Sequence, residues 1–407
     1  MPVSTLSNAA WIALRVLLLI TPLASPSSKS APLLCVIRPA LNITCVVGAR
    51  PNFIKMAAII QELRHRPRFS SRLVHTGQHF SPDMSGSFFQ ELDLPEPDAN
   101  LGAGGGSQTQ QTAQIMLALE REFDAHRPGL LLVVGDVNST LAASLVGAKL
   151  EIPIAHVEAG LRSFDRRMPE EINRVVTDVL SDYLFVTEPS GLQNLRAEGI
   201  PEQRVHFVGN VMIDTLLRFR SKAENSDVLD RLGLAQGQYA VVTLHRPSNV
   251  DDPERLSGLL EMLAELGRKL PVVFPVHPRT RQQIPSDRFR ETRLVFTAPL
   301  SYLDFLRLMS EARLVLTDSG GIQEETTILQ VPCLTLRENT ERPITIERGT
   351  NKLVGTDPAR ILPTALEALE IESEPGRIPE LWDGRAAGRI MDILEESLPK
   401  LPTSCGS

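Results

Sequence analysis

The sequence predicts a doubly wound α/β protein, and three observations carry that prediction. From Leu41 onward, short β-branched runs alternate with longer helical stretches. The runs are apolar almost without interruption, as in parallel strands covered on both faces, and not alternately apolar and polar. Eleven of them are too many for one ordinary open sheet, and the polar stretch Arg218 to Gln238, with Gly233 and Gly237, divides them roughly six and five. Two Rossmann-like units facing a cleft follow.

The predicted strands of the first unit are Ile43 to Val47, Arg72 to His75, Leu130 to Val134, Ile154 to Val157, Tyr183 to Val186 and Val205 to Val208. Those of the second are Ala240 to Leu244, Val272 to Val276, Leu294 to Phe296, Leu314 to Leu316 and Cys333 to Leu336. The predicted domains are therefore 41–209 and 210–383. Residues 1–40 differ from the rest: Ala9 to Ala24 is mostly apolar, but Arg15 interrupts it and no Lys or Arg precedes Arg15. That is short for a bilayer span and lacks the charged start of a signal peptide, so an unstructured extension is expected.

Composition narrows the function classes. The 407 residues are 42% hydrophobic and 22% charged, with a net charge of -7, which gives no global attraction to nucleic acid or to an anionic membrane. Any phosphate must be held by a local site. The four cysteines, Cys35, Cys45, Cys333 and Cys405, have neither metal-ligand nor redox spacing, and read as buried thiols of a reducing, cytoplasmic compartment. No metal site is expected from the acidic and histidine spacings, and no Walker loop is present.

In doubly wound sheets ligands bind beyond the carboxyl ends of the strands, so the residues there are the candidates for chemistry. Thr317-Asp318-Ser319-Gly320-Gly321 follows a strand and opens a helix. It reads as an anion cradle of helix-end amides, or as an ordinary capped helix. Glu324 and Glu325 are expected in the first helical turn, where a carboxylate is favoured and can accept hydrogen bonds from the two hydroxyls of a ribose. After the first strand, Gly48-Ala49-Arg50-Pro51-Asn52-Phe53-Ile54-Lys55 sets two cations beside a glycine turn. Acids follow at other strand ends: Asp136 after Gly135, Glu158 in His156-Val157-Glu158-Ala159-Gly160-Leu161-Arg162, and Glu170 at a helix start. Like charges gathered at one cleft raise pKa values toward those useful for acid and base work. His245, in Thr243-Leu244-His245-Arg246, shares that cleft with Ser319 and Gly321; His277, after another strand, is left without a role.

Taken together, Gly48-Ala49-Arg50-Pro51 with Lys55, Gly77-Gln78-His79, Gly135-Asp136, the segment His156 to Arg162, Pro169-Glu170-Glu171, His245-Arg246, Asp318-Ser319-Gly320-Gly321 and Thr340-Glu341-Arg342-Pro343 stand in an order that resembles non-hydrolysing UDP-N-acetylglucosamine 2-epimerases. The resemblance runs from about Leu41 to Asp357. It implies a glycosyltransferase B type fold, with a C-terminal helix at about 384–400 crossing back onto the first domain. It implies C-2 epimerisation without a cofactor, by loss of UDP across C-1 and C-2 to 2-acetamidoglucal and re-addition, in a homodimer. By position it makes Asp136, Glu158, Glu170 and His245 catalytic, and Arg50, Lys55, Phe305, Ser319, Gly320, Gly321, Glu325 and Arg342 contacts of the nucleotide sugar. Gln78 and His79 match part of an allosteric site of bacterial members, although Phe80 to Asp83 and Ser107 to Thr112 look unlike those regulated forms. Arg162 to Pro169 resembles a branch that includes 2-epimerases of UDP-2,3-diacetamido-2,3-dideoxyglucuronic acid, whereas Thr340 to Pro343 matches the N-acetylglucosamine pattern. A hydrolysing epimerase and a nucleotide-sugar binding protein without activity are the other readings.

Overall fold

Parallel strands form two separate sheets, each flanked by helices, in the computed structural model, which describes residues 40–78, 88–370 and 376–397. The first sheet holds β1 (Leu41–Val47), β2 (Phe69–His75), β3 (Ala99–Asn100), β4 (Leu130–Val134), β5 (Ile154–Ala159), β6 (Tyr183–Val186) and β7 (Val205–Phe207), in the order β3-β2-β1-β4-β5-β6-β7. The second holds β8 (Ala240–Thr243), β9 (Val272–Pro275), β10 (Leu294–Thr297), β11 (Leu314–Thr317), β12 (Cys333–Thr335) and β13 (Asn351–Leu353), in the order β10-β9-β8-β11-β12-β13. All eleven predicted strands are present with ends moved by a few residues. The two that sequence did not predict, β3 and β13, are short edge strands of two and three residues.

The physical reason for the predicted runs is visible in β4, whose five residues are all buried. With helices on both faces, neither side of such a strand meets water, and each fully buried aliphatic side chain contributes roughly 1.5–3 kcal/mol. In each sheet the winding direction reverses once, between β1 and β4 and between β8 and β11. A crevice opens at each reversal, and the chain leaving those four strands lines it.

One apolar cluster joins the two sheets, running from Ile43 and Val134 through Ile213 and Leu216 to Val241 and Val315. The helix Val211–Ala223 carries it, with Thr215 Oγ1 donating to Ile54 O of the helix Arg50–Arg64 at 2.7 Å. The C-terminal helix, predicted at about 384–400, spans Ala386–Ser397. Asp214 accepts hydrogen bonds from its first amides, Ala386 N at 3.1 Å and Ala387 N at 2.7 Å, while Arg66, just after the first helix, pairs with Glu395 at 3.3 Å. The last helix is thus tied to both halves, as an acidic cap at a helix N-terminus allows.

The helix Pro169–Leu180 is inverted relative to an ordinary surface helix. Its charged residues Glu171, Arg174 and Asp178 are buried, and Ile172 and Val179 are 46% and 55% exposed. Cys45 and Cys333 are buried free thiols, both pushed up to about 12 by burial. Cys35, Cys405, His79 and the apolar run Ala9 to Ala24 lie outside the described residues. Among the described residues no helix is long and apolar enough to cross a membrane.

Candidate active site

The crevice residues of the first sheet converge through backbone geometry that few residue types tolerate. Gly135, directly after β4, has φ +66°, and a Cβ there would lie 3.0 Å from Lys55 Nζ and 3.2 Å from Glu158 Oε2. Only glycine allows both the turn and that approach. Glu158 has φ 75°, left-handed for a residue with a full side chain, at a register irregularity between β5 and β6. The bulge turns its carboxylate out of the strand's alternation.

Glu158 is buried and gripped from both sides. Lys55 pairs with Oε2, and Arg342 Nη2 lies 2.5 Å from Oε1. Lys55 belongs to the first half of the chain and Arg342 to the second, so the pairing closes the crevice across the two sheets. Arg342 extends the network to Glu324 Oε1 at 3.0 Å and Glu341 Oε1 at 2.7 Å, and Glu341 continues to Arg337 at 2.7 Å. Burial works against the charge on Glu341, but Arg342, Arg337 and Arg174 outweigh it and hold the carboxyl far below the usual range.

Asp136 sits one residue beyond Gly135 and pairs with Arg174, whose Nη1 lies 2.5 Å from Glu171 Oε2. Burial pushes Asp136 up, yet Arg174, with Lys55 and Arg342 behind it, holds it below the usual carboxylate range, which corrects the rise expected of gathered acids: here each acid meets a cation. Glu171 in turn accepts hydrogen bonds from Ser163 N, Ser163 Oγ and Phe164 N, each at 2.9 Å. Glu170, one position earlier, faces the second sheet, 3.3 Å from Arg246 Nη1. Three acids predicted from three separate strand and helix ends thus meet cations in one crevice.

On the second sheet, Asp318 is the anchor. It accepts hydrogen bonds from His245 N at 3.0 Å, Arg246 N at 2.9 Å and Asn249 Nδ2 at 3.0 Å, and lies 2.9 Å from His245 Nδ1. Burial works against its charge, but His245 and these donors hold it below the ordinary carboxylate range. The His245 ring itself is 55% exposed. Beyond Asp318 the helix Gly320–Leu329 begins with Ser319 as N-cap, and that serine makes no side-chain cap hydrogen bond. Its first amides are therefore left for a ligand or water. A Cβ at Gly320 would collide with the Arg342 guanidinium, so glycine there brings Arg342 against the helix start.

The helix register also corrects an expectation. With the helix starting at Gly320, Glu324 and Glu325 fall in its second turn, not its first. Both are buried, and burial raises Glu324 to about 7 and Glu325 to about 8, the latter with Glu324 adding to the rise. Asn210 Nδ2 donates to Glu324 Oε1 at 3.0 Å. Arg50 reaches across the crevice to Leu300 O at 3.2 Å and lies over the Phe88 ring at 4.1 Å; burial lowers it to about 10 against the pull of Glu325 and Glu91. Phe305, on the helix Tyr302–Ser310, is half-buried against the core and outside the ionic network. Gln78 Oε1 accepts from Ser139 N at 3.0 Å and Ser139 Oγ at 2.7 Å. His277 is exposed beyond β9.

Sequence reasoning missed Arg174, Asp178, Glu188, Arg337 and Asn210. Glu188 and Arg337 each stand two residues after a strand, the position already known to carry chemistry. Arg174 and Asp178 lie inside a helix, where charge ordinarily signals a wet face.

A family described as UDP-N-acetylglucosamine 2-epimerase matches residues 61–395. This chain belongs to that family. The UDP-N-acetylglucosamine 2-epimerase of Methanocaldococcus jannaschii is 40% identical over 364 residues, spanning 87% of the chain and 99% of the relative. A crystal structure of the enzyme from that organism, in complex with UDP-GlcNAc and UDP, has a TM-score of 0.82 and 39% identity over 88% of the chain and all of that protein. The UDP-2,3-diacetamido-2,3-dideoxy-D-glucuronate 2-epimerase of Pseudomonas aeruginosa is 39% identical, over 87% of the chain and 99% of its own length. The glycotransferase of kitacinnamycin, 14% identical with a TM-score of 0.58 over 90% of the chain and all of that protein, shares the fold alone. The two-sheet architecture of this epimerase-family chain is thus also that of a glycosyltransferase.

Proposed function

We propose that the protein interconverts UDP-N-acetylglucosamine and UDP-N-acetylmannosamine without hydrolysis. The observation that carries the reading is Glu158, held in a left-handed bulge between Lys55 and Arg342 and opposite an uncapped helix start. A carboxylate and an anion cradle in one crevice suit a reaction that moves a proton at carbon while a diphosphate leaves. The C-2 proton has no neighbouring carbonyl to stabilise its removal. Loss of UDP solves this: a carboxylate takes the C-2 proton, the C-1 to oxygen bond breaks with its electrons going to UDP, and C-1 and C-2 become doubly bonded. UDP oxygen then returns to C-1 as a second acid protonates C-2 from the opposite face.

In this scheme Asp136, Glu158 and Glu170 divide the acid and base work. His245 and Arg342, with the amides of Gly320 and Gly321, stabilise the departing diphosphate, and Lys55 and Arg50 assist. Ser319, Glu325 and Phe305 hold the nucleotide, Glu325 at the ribose and Phe305 near the uracil. We take 41–209 with the last helix as one domain and 210–383 as the other. We take the protein to be a homodimer, the exposed Ile172 and Val179 of the inverted helix being a surface that a second copy would cover.

The relative from Pseudomonas aeruginosa supports UDP-2,3-diacetamido-2,3-dideoxyglucuronic acid as the competing substrate. Chromatography of the purified protein with each UDP-sugar separates the two. We expect an equilibrium mixture of UDP-sugar epimers from UDP-N-acetylglucosamine; turnover of the uronate alone would overturn that assignment, and release of free N-acetylmannosamine would make the reaction hydrolytic.

A further inference from the structure

We propose that the buried pair His156 and Asp178 positions both carboxylate-bearing segments, Gly135–Asp136 and Glu158–Gly160, for the reaction. The inference rests on the epimerase reading above. Neither side chain can touch a substrate, since both are 0% exposed. Their bonds go instead to the backbone on either side of the two acids. His156 Nε2 lies 2.9 Å from Gly135 O, one residue before Asp136, and can only donate to it. Its Nδ1 lies 2.7 Å from Asp178 Oδ1. Asp178 Oδ2 accepts from Gly160 N at 3.1 Å, two residues after Glu158.

The brace is itself anchored. Arg162 Nη2 lies 2.7 Å from Asp178 Oδ2 and also pairs with Glu198 at 2.7 Å. Asn194 Nδ2 donates to Gly160 O at 2.8 Å. Gly160 has φ +80°, and a Cβ there would fall 2.6 Å from Gly191 O. Gly160 and Arg162, just after Glu158, are thereby fixed from behind. A merely satisfied core histidine needs two partners of any kind; this one links the chain beside Asp136, through one aspartate, to the chain beside Glu158.

The reason such a device is needed lies in Glu158. Holding a non-glycine residue in the left-handed region is strained, and the conformation persists only where its surroundings over-determine it. Without the brace the bulge can relax toward extended backbone, and the carboxylate swings away from Lys55 and Arg342. A displacement of about 1 Å at a reacting group can cost roughly 100-fold in rate.

Two variants divide the bonds of His156. His156→Asn keeps a donor near the Nδ1 position for Asp178 and loses Gly135 O, whereas His156→Gln keeps a donor near the Nε2 position for Gly135 O. Crystal structures of both, with kcat, KM for UDP-N-acetylglucosamine and UDP affinity, form the test. We expect His156→Asn to fold, to lower kcat about 10- to 100-fold with KM and UDP affinity nearly unchanged, and to show the Gly135–Asp136 and Glu158 backbones displaced. His156→Gln should restore part of kcat. An unmoved Glu158 and Asp136 backbone in His156→Asn, or equal losses in kcat and UDP affinity, overturns the positioning role. If the wild-type protein turns over no UDP-N-acetylglucosamine, the substrate assignment falls, and the backbone positions in the two variant structures still decide whether the brace exists.

Discussion

Each sheet sets a histidine against an aspartate at its crevice, yet the two pairs have opposite accessibility. On the second sheet His245 is 55% exposed over the buried Asp318, while on the first His156 and Asp178 are both sealed. The exposed ring presents an edge to whatever occupies the crevice, and the sealed ring has only backbone and its own aspartate to act on. The same two residue types thus leave a ring open to the crevice in one place and bonded to backbone in the other. Burial, not the pairing itself, decides which.

The largest effect is expected at the acids that the sealed pair frames. Asp136→Asn and Glu158→Gln should each lower kcat by about 10²–10⁴-fold with modest loss of UDP affinity, measured by steady-state kinetics and calorimetry. Near-normal turnover in either would remove the acids from the catalytic assignment. The comparison itself is sharpened by alanine at the two histidines. His156→Ala empties a sealed site and leaves Asp178 to Arg162 and Gly160 N, and should cost about 2–5 kcal/mol in denaturant unfolding. His245→Ala opens a half-exposed position where water can replace the ring against Asp318, and should cost less than about 1.5 kcal/mol and lose turnover instead. Equal destabilisation by both would erase the distinction. Arg342→Ala should weaken UDP binding by about 1.5–3 kcal/mol, read by calorimetry, because it removes a charged donor facing the helix start.

The smallest expected effect concerns Glu188, buried two residues after β6 and raised by burial to about 7, with Glu324 adding to the rise. Between the unfolded carboxylate pKa, about 4.5, and about 7 the native state holds a proton that the unfolded chain has released. Stability therefore falls as pH rises through that window. Glu188→Gln removes the penalty, so its melting temperature should exceed the wild-type value by a few degrees at pH 8 and match it near pH 5. An equal gain at both pH values would contradict the assignment.

Much of the architecture was legible because parallel strands covered on both faces leave a plain mark: β4 reads as five apolar residues, and all five are buried. The edge strands β3 and β13 left no mark, since two or three residues with one covered side need no apolar run. Asp136, Glu158 and His245 were legible for a topological reason, standing directly at strand ends. Asp178 and Arg174 were not. On the helix Pro169–Leu180 the charges and the apolar residues occupy opposite faces, and periodicity reports that two faces exist without saying which one turns inward. Only the tertiary structure, with Arg174 against Asp136 and Asp178 against His156, shows the charged face to be the buried one. The left-handed turn at Glu158 was equally hidden, because glutamate carries no mark of positive φ as glycine does.

The most direct test of the account is proton NMR of UDP-N-acetylglucosamine with the purified protein in deuterated water and no added cofactor. Elimination and re-addition predict UDP-N-acetylmannosamine carrying deuterium at C-2, with the same label entering the recovered starting sugar. Epimerisation that keeps the original hydrogen at C-2 would contradict a crevice built to move that proton, and no conversion at all would overturn UDP-N-acetylglucosamine as the substrate.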